Sequence, residues 1–179
     1  MTGQVFVIAG PMFSGKTTLL LHELERYARG KRRVALVSKD TRFDGIRTHS
    51  GRPLYGGITH LDQLNLSWIE QGGYEVVGVD EFHFMKDALE FCIGMAKAGI
   101  IVVACGLLSD FRQQPFEGIH ELIPHADRVR ILRSTCADCG SLSGIYNVRT
   151  VKSEERILEG AEEAYKVVCR GCLPEDVSL

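Results

Sequence analysis

Residues 10–17, GPMFSGKT, have the residue types and the spacing of a loop that binds phosphate groups. Gly10 and Gly15 would let the backbone turn tightly and point its N–H groups at phosphate oxygens, and the helix that follows would add the positive end of its dipole. Lys16 would reach the β- and γ-phosphates, and Thr17 would bind Mg²⁺ through its hydroxyl group. The motif predicts a nucleoside triphosphate site, with a purely structural glycine turn as the alternative, and it does not identify the phosphate acceptor.

Two adjacent carboxylates, Asp80 and Glu81, end the apolar run YEVVGVDE at residues 74–81. Because successive residues of a strand point in opposite directions, Asp80 could face a metal ion while Glu81 faces a nucleophile. Glu81 could polarise a water molecule, as in an ATPase, or accept the proton of a substrate hydroxyl group, as in a kinase. The alternative is a pair of acids that caps a helix. The two residues alone do not choose between a hydrolase and a kinase.

Four cysteines form two C-x-x-C pairs, Cys136 with Cys139 and Cys169 with Cys172. Four thiolates on two turns can surround a Zn²⁺ ion as a tetrahedron. Such a closed site has no open position for catalysis, so the predicted zinc ion is structural. Redox-active dithiols and unpaired thiols are the alternatives.

Four nearly unbroken apolar runs rich in branched residues predict strands that are buried on both faces, as in a parallel sheet. They cover residues 5–10, 33–38, 74–81 and 100–107. Helical spacing that ends in glycine predicts helices at residues 16–30, 61–72 and 85–99. The alternation predicts an α/β fold, a P-loop NTPase-like parallel sheet flanked by helices. Ligands of such sheets bind at the carboxyl ends of the strands, where the phosphate loop and the acid pair fall.

The chain divides into two unequal parts. The glycine-rich, aperiodic residues 44–60 predict a long loop within the first part. From about Ser134 the pattern changes to short strands and turns framed by the cysteine pairs. We therefore predict an α/β core over residues 1–133 and a small zinc-stabilised lobe over residues 134–179, which is too short to fold without the metal.

The composition of the 179 residues excludes several classes of protein. No apolar run approaches the roughly 18 residues of a membrane span, and a net charge of −2 without a dense Lys/Arg tract predicts no nucleic-acid binding. The short run GKRRV is typical of a solvated turn. No leader peptide is recognisable, which favours a cytoplasmic protein with reduced thiols. Cys92 and Cys105 stand alone in apolar runs, and we expect them to pack in the core.

Several motifs together resemble the type II thymidine kinases, a cytosolic, zinc-containing family. They are GPMFSGKT, KDTR, DEFHF, FRQQPF and the cysteine pairs around EGAEEAYKVVCRGC, in the same order over nearly the whole chain. The resemblance implies a P-loop core with a small zinc-ribbon or lasso lobe that closes over the nucleoside, usually in a homotetramer. It also implies transfer of the γ-phosphoryl group of ATP to the 5′-hydroxyl of thymidine or deoxyuridine, giving dTMP and ADP in nucleotide salvage.

The resemblance also implies roles for individual residues. Glu81 would accept the proton, and Arg42 in KDTR would act with Lys16 on the reacting hydroxyl group and phosphates. ATP and Mg²⁺ would be bound by Gly10, Pro11, Met12, Phe13, Ser14, Gly15, Lys16, Thr17, Asp80, Glu81, Phe82 and His83. The base would be lined by Met12, Phe84, Leu107, Phe111 and Phe116, with Tyr165 on the lobe. Without the resemblance, Phe111 and Phe116 of FRQQPF are typical of core residues, and Tyr165 is typical of a residue that packs within the lobe.

Two residues depart from the family pattern. Leu108 stands where the family usually has an aspartate, which removes an acidic group near the acceptor pocket. His83 stands where the family usually has glutamine, and it could add a pH dependence near its unperturbed pKa of about 6.5.

Two other functions compete with the kinase. One is an ATPase whose zinc ribbon contacts nucleic acid, but the predicted lobe contains Glu154, Glu155, Glu159, Glu162 and Glu163, which disfavours a nucleic-acid surface. The other is a sensor or scaffold that binds ATP without turning it over.

Overall fold

The computed structural model describes residues 2–38, 56–153, 155–156 and 162–175. The main sheet consists of β1 (Gln4–Ala9), β2 (Val34–Val37), β3 (Ile58–Leu61), β4 (Val76–Val79), β5 (Ile101–Gly106) and β6 (Arg128–Ile131). All six strands are parallel and their order is β3-β2-β4-β5-β1-β6. The carboxyl ends of the four central strands therefore meet at one edge, as the sequence predicts.

Helices cover both faces of this sheet. They are α1 (Lys16–Arg29), α2 (Leu66–Gln71), α3 (Ala88–Lys97) and α4 (Ile119–Leu122). Helix α1 packs on one face through Leu20, Leu21 and Leu24, and the other three helices pack on the opposite face. Because both faces are covered, the central strands need branched apolar residues at nearly every position. The α/β fold predicted from the sequence is confirmed.

The two edge strands were not predicted. Residues 44–60 were expected to form a loop, but Ile58 to His60 belong to β3, which pairs with β2 from Ile58 opposite Val34. The prediction is wrong there because main-chain pairing, rather than an apolar pattern, holds this half-exposed strand. The predicted helix at 61–72 begins only at Leu66, since the Asn65 side chain accepts the N–H of Trp68 at 3.2 Å and caps it.

A small lobe follows the sheet, and we call its described residues from Ser134 onward the cysteine lobe. Its strands β7 (Tyr146–Arg149) and β8 (Tyr165–Val168) are antiparallel. Cys136, Tyr146, Val148 and Val168 form a hydrophobic cluster separate from those of the sheet. So few buried residues give little stability, which is consistent with a lobe that depends on a metal.

Candidate active site

The phosphate-binding loop connects β1 to α1 at the carboxyl edge of the sheet. Gly15, directly before α1, has a φ of 81°, which favours glycine. A Cβ atom at Gly10 would lie 2.8 Å from the carbonyl oxygen of Leu132, so a side chain would not fit there. The geometry of the loop explains both glycines of the motif.

Lys16 lies under the loop and is only 8% exposed. Its Nζ donates to the carbonyl oxygen of Pro11 at 2.7 Å, and the Ser14 hydroxyl donates to the same oxygen at 2.8 Å. Burial lowers the pKa of Lys16, while the negative charges of Glu81 and Asp80 oppose that shift. A buried ammonium group with acids nearby is suited to bind phosphate oxygens in place of water.

Asp80 lies just past the end of β4 and is almost fully buried. Its Oδ1 accepts the Thr17 hydroxyl at 3.2 Å, the Glu81 N–H at 2.9 Å and the Cys105 thiol at 2.8 Å. Burial raises the pKa of Asp80, and these hydrogen bonds oppose the rise. The predicted pair of Mg²⁺ ligands is therefore in contact, and its oxygen donors suit that ion.

Cys105, expected only as core packing, is buried but also donates to this carboxylate. Burial and the neighbouring carboxylate raise the pKa of its thiol well above the usual value, so it remains protonated and able to donate. Cys92 is buried among apolar residues, as the sequence predicts.

Glu81 has a left-handed backbone conformation, with φ 51° and ψ 42°. Non-glycine residues seldom adopt this conformation, and such strain is frequent at functional sites. Glu81 precedes the short 3₁₀ helix Phe82–Phe84 without capping it through its side chain, so the helix-cap alternative is not supported. Because Asp80 and Glu81 follow β4 and Glu81 lies in a left-handed turn, strand alternation does not set the directions of their side chains.

His83 is buried beneath Glu81. Its Nδ1 accepts the N–H of Leu107 at 3.2 Å, and its Nε2 lies 3.3 Å from Glu81 Oε2. Burial, with a smaller effect of the Lys16 charge, lowers the pKa of His83 to about 3. The expectation of a pH dependence near 6.5 is therefore wrong, because the imidazole stays neutral there.

The aromatic residues expected at the site have different positions. Phe82 is 1% exposed and packs in the core, which leaves only its backbone to take part in nucleotide binding. Phe84 is partly exposed, and its ring centroid lies 4.1 Å from that of His83. Phe116 is buried, and its ring centroid lies 4.8 Å from that of the same imidazole. The Leu107 N–H donates to His83 Nδ1. His83 therefore contacts three of the predicted base-pocket residues, Phe84, Leu107 and Phe116.

Asn147 of β7 joins the phosphate loop to the cysteine lobe. Its Oδ1 accepts the N–H of Met12 at 2.8 Å, and its Nδ2 donates to the carbonyl oxygen of Ser109 at 3.1 Å. Gln113 Nε2 donates to the Asn147 carbonyl oxygen at 3.1 Å. The sequence analysis missed Asn147, although a polar residue between the apolar residues of a predicted strand is a signal.

Arg149 organises the lobe side of the site. Its guanidinium carbon lies 3.7 Å from the ring centroid of Phe111 and 5.1 Å from that of Tyr165. It donates to the Tyr165 hydroxyl at 2.5 Å, to the Ser153 carbonyl at 3.0 Å and to the Glu155 carbonyl. Phe111 and Tyr165, predicted to contact the base, are thus held by one arginine that the sequence analysis did not identify.

A second arginine anchors the lobe to the segment after β5. Arg156 Nε donates to Asp110 Oδ2 at 2.9 Å, and its Nη2 donates to the Pro115 carbonyl at 2.8 Å. Asp110 is buried, and its Oδ1 accepts the N–H groups of Arg112 and Gln114, both at 2.9 Å. The neighbouring Leu108 packs against the sheet core and contributes no charge here.

The four predicted cysteines meet at one point. Their sulfur atoms all lie within 4.8 Å of one another, and those of Cys139 and Cys169 are 3.7 Å apart. Four ligands at a Zn–S distance of about 2.3 Å would have sulfurs about 3.8 Å apart, so the cluster fits tetrahedral zinc. Hydrogen bonds from backbone N–H groups, that of Cys169 foremost, lower the pKa of Cys136 to about 6, whereas hydrogen bonds with the thiols of Cys139 and Cys169 raise the pKa of Cys172 to about 12.

Some predictions stay untested by this geometry. Arg42, KDTR and most of the predicted 44–60 loop lie outside the described residues. Phe13 is on the loop, about half exposed, and Met12 reaches the lobe through its backbone. None of the helices in the described ranges is long and apolar enough to span a membrane.

The fold and the site define a P-loop α/β protein with an appended four-cysteine lobe. The sequence model of the family described as "Thymidine kinase" matches residues 3–173. The chain therefore belongs to the thymidine kinase family.

Similar proteins include thymidine kinases of several viruses and of Pyrobaculum aerophilum. It is 35% identical to the thymidine kinase of Myxoma virus over 175 residues, which is 95% of this chain and 96% of that one. It is 36% identical to the thymidine kinase of Yaba monkey tumor virus, covering 96% of this chain and 94% of the relative. It is also 36% identical to the thymidine kinase of Pyrobaculum aerophilum, with 93% and 96% covered. The resemblance noted in the sequence is confirmed.

Proposed function

We propose that this protein transfers the γ-phosphoryl group of ATP to the 5′-hydroxyl of thymidine, and also of deoxyuridine, giving the monophosphate and ADP. The single observation that carries the proposal is the arrangement of Asp80 and Glu81. The Asp80 carboxylate accepts the hydroxyl group of the loop residue Thr17, while Glu81 Oε2 lies 3.3 Å from His83 Nε2. The two adjacent acids thus have different partners, so one would hold the metal ion and the other would face the acceptor hydroxyl group.

The residues of the phosphate loop bind and neutralise the nucleotide. Backbone N–H groups of residues 10–17 and the start of α1 bind the phosphates, and Lys16 stabilises the charge that develops on the γ-phosphoryl oxygens. Thr17 and Asp80 would hold Mg²⁺, which supplies further neutralisation of the phosphates when bound. Arg42 is proposed to contribute on the acceptor side.

Glu81 accepts the proton of the 5′-hydroxyl as that oxygen attacks the γ-phosphorus and the bond to the β–γ bridging oxygen breaks. Met12, Phe84, Leu107, Phe111 and Phe116 offer an apolar pocket for a pyrimidine with a 5-methyl group. We propose that the lobe at 134–179 covers the base over the core at 1–133, and that closure excludes water and suppresses ATP hydrolysis. A homotetramer is proposed from the family resemblance alone.

The test is an assay of the purified chain with ATP, Mg²⁺ and each deoxynucleoside in turn. We expect dTMP to form from thymidine and the corresponding monophosphate from deoxyuridine. Absence of dTMP, with ATP hydrolysis unaffected by thymidine, would overturn the proposal. ATP turnover stimulated by RNA or DNA would instead identify a nucleic-acid-dependent ATPase, and ATP binding without turnover a sensor.

The role of Glu81 has its own test in Glu81→Gln. The amide preserves the shape of the side chain but cannot accept the proton, so we expect kcat to fall by about two to four orders of magnitude. ATP binding, measured by calorimetry, should persist because the phosphate loop is unchanged. An unchanged rate would remove Glu81 from the mechanism.

A further inference from the structure

His83 occupies a place between the predicted base pocket and the proposed proton acceptor. Its side chain has no solvent-exposed surface. Its ring packs against Phe84, at 4.1 Å between centroids, and against Phe116, at 4.8 Å. Gly106 closes a further side, since a Cβ there would come within 3.2 Å of His83 Nδ1. These contacts allow the imidazole one orientation.

The hydrogen bonds of the ring decide which nitrogen carries the proton. Leu107 N–H donates to Nδ1 at 3.2 Å, so Nδ1 must be the acceptor. A neutral imidazole has one proton, which must then be on Nε2. The pKa of about 3 means that the ring remains neutral over the pH range in which kinases are assayed. The protein backbone thus fixes the tautomer.

The Nε2 atom faces Glu81. It is buried, it makes no standard hydrogen bond among the described residues, and it lies 3.3 Å from Oε2 of that glutamate. A buried N–H group without a partner costs free energy, and a short shift of the Glu81 side chain would complete the bond. The carboxylate is therefore the natural acceptor.

We propose that His83 is a positioning residue for Glu81, in which Leu107 N–H fixes the proton on Nε2 and Nε2–H donates to Oε2 of the carboxylate. This rests on the proposed role of Glu81 as proton acceptor. The bond holds the carboxylate in one rotamer above the pocket that Phe84 and Phe116 line. It also couples the position of the acid to the wall of the pocket, because the same ring contacts both.

Glutamine at this position could make the same two bonds, and leucine could make neither. A Gln side chain can accept through Oε1 and donate through Nε2, as the neutral imidazole does. His83→Gln and His83→Leu are therefore a matched pair. Both remove the ring, and only one removes the hydrogen bonds.

The experiment compares thymidine phosphorylation by the wild type and both variants of the full chain. We expect H83L to lower kcat by about ten- to a hundredfold, the usual effect of losing a hydrogen bond to a charged group, with the thymidine KM changed less than about threefold. H83Q should recover most of the lost activity. Equal losses in both variants, or a change in KM alone, would mean that the ring only fills space.

The pH profile gives a second readout. Without the donor, the ionised carboxylate is less favoured, so the acid limb of kcat should move to higher pH in H83L and return towards the wild type in H83Q. The other charged groups around this point are Lys16 from α1 and Asp80 from the end of β4, with the neutral Cys105 thiol from β5, and all of these are present in both variants. An acid limb that stays fixed in H83L would contradict the proposal.

A double-mutant cycle with Glu81→Gln tests whether His83 acts through Glu81. In that background H83L should have little further effect on kcat, whereas a full additional loss would overturn the proposal. Long-range ¹H–¹⁵N NMR spectra of histidine provide a readout besides activity. We expect His83 to be the neutral Nε2–H tautomer at pH 6. The chemical shift of its Nε2 should differ between the wild type and E81Q.

The outcomes of the two proposals can be separated. Three NMR results would overturn the role of His83 even in an active kinase. They are an Nδ1–H tautomer, a cationic ring at pH 6, and an Nε2 chemical shift that is the same in E81Q as in the wild type. Absence of dTMP from the wild type would overturn the proposed function, whatever the tautomer. If H83L fails to fold by circular dichroism, the spectra of wild type and E81Q still decide the hydrogen bond.

Discussion

The phosphate half and the base half of the site are held in place by different contacts. The phosphate half, residues 10–17 with Asp80, is fixed by loop backbone and by buried groups at the ends of adjacent strands. The base half, residues 107–116 with the cysteine lobe, depends on side chains that cross between the two parts, foremost Arg149 and Arg156. We therefore expect the second half to loosen more readily than the first.

The largest effect is expected from Lys16→Met in the phosphate half. Removing the ammonium group removes the charge that stabilises the transferring phosphoryl, so kcat should fall about a thousandfold. The melting temperature should stay the same or rise, because a buried charge is replaced by an apolar chain of similar length. Steady-state kinetics and thermal unfolding measure the two effects.

The matched control is Lys97→Met in the last turn of α3, where the lysine is exposed. We expect it to change kcat less than about twofold, as is usual for surface substitutions. If K16M retained more than a tenth of the wild-type rate, the phosphate half would not depend on this lysine.

Removal of the proposed zinc ion should affect the base half selectively. Chelation, or Cys172→Ser, takes away the link between the two C-x-x-C turns, and a lobe with so small a core should then lose its order. We expect the thymidine KM to rise by about tenfold or more, while the Kd of ATP changes less than about threefold. Metal analysis of the same samples should give one zinc per wild-type chain and less in C172S.

The ATP measurement is the internal control for that experiment. An equal loss of ATP and thymidine binding would mean that the lobe supports the whole molecule, and no loss of either would mean that zinc has no part in holding the base half.

The difference between the phosphate half and the base half also determines how much of each could be predicted from the sequence. The phosphate half was predictable because its signals are local: glycines at fixed offsets, a lysine before a helix, and acids at the end of an apolar strand. The central strands were predictable because burial on both faces demands continuous apolar residues. The edge strands β3 and β6 were not, since β3 is half exposed and β6 is an exposed RVRI segment that pairs on one side only.

The base half was predicted only in part. The cysteine pairs have a recognisable spacing. In contrast, Asn147 is hydrogen-bonded to Met12, 135 residues away in the sequence, and Asp110 to Arg156, 46 residues away. No local pattern encodes such pairs, because their meeting depends on how the lobe packs on the sheet. The wrong expectation for His83 has the same origin, since burial of its ring is a tertiary property.

A smaller effect is expected from Asp110→Asn in the base half. The amide oxygen can still accept the two backbone N–H groups that Oδ1 accepts, while the ion pair with Arg156 is lost. Because the Arg156 side chain is 44% exposed, the pair contributes less than a buried one would. We therefore expect the thymidine KM to rise only about three- to tenfold, with the ATP KM and kcat nearly unchanged.

Two further variants make this prediction specific. Arg156→Gln should raise the thymidine KM at least as much, because it also removes the bond to the Pro115 carbonyl, and the double variant should add little to Arg156→Gln alone. Glu75→Gln is the control, since it removes a partly exposed ion pair with Arg32 just before β4, away from the carboxyl edge of the sheet. If D110N and E75Q had the same thymidine KM, the contact between Asp110 and Arg156 would have no part in positioning the lobe.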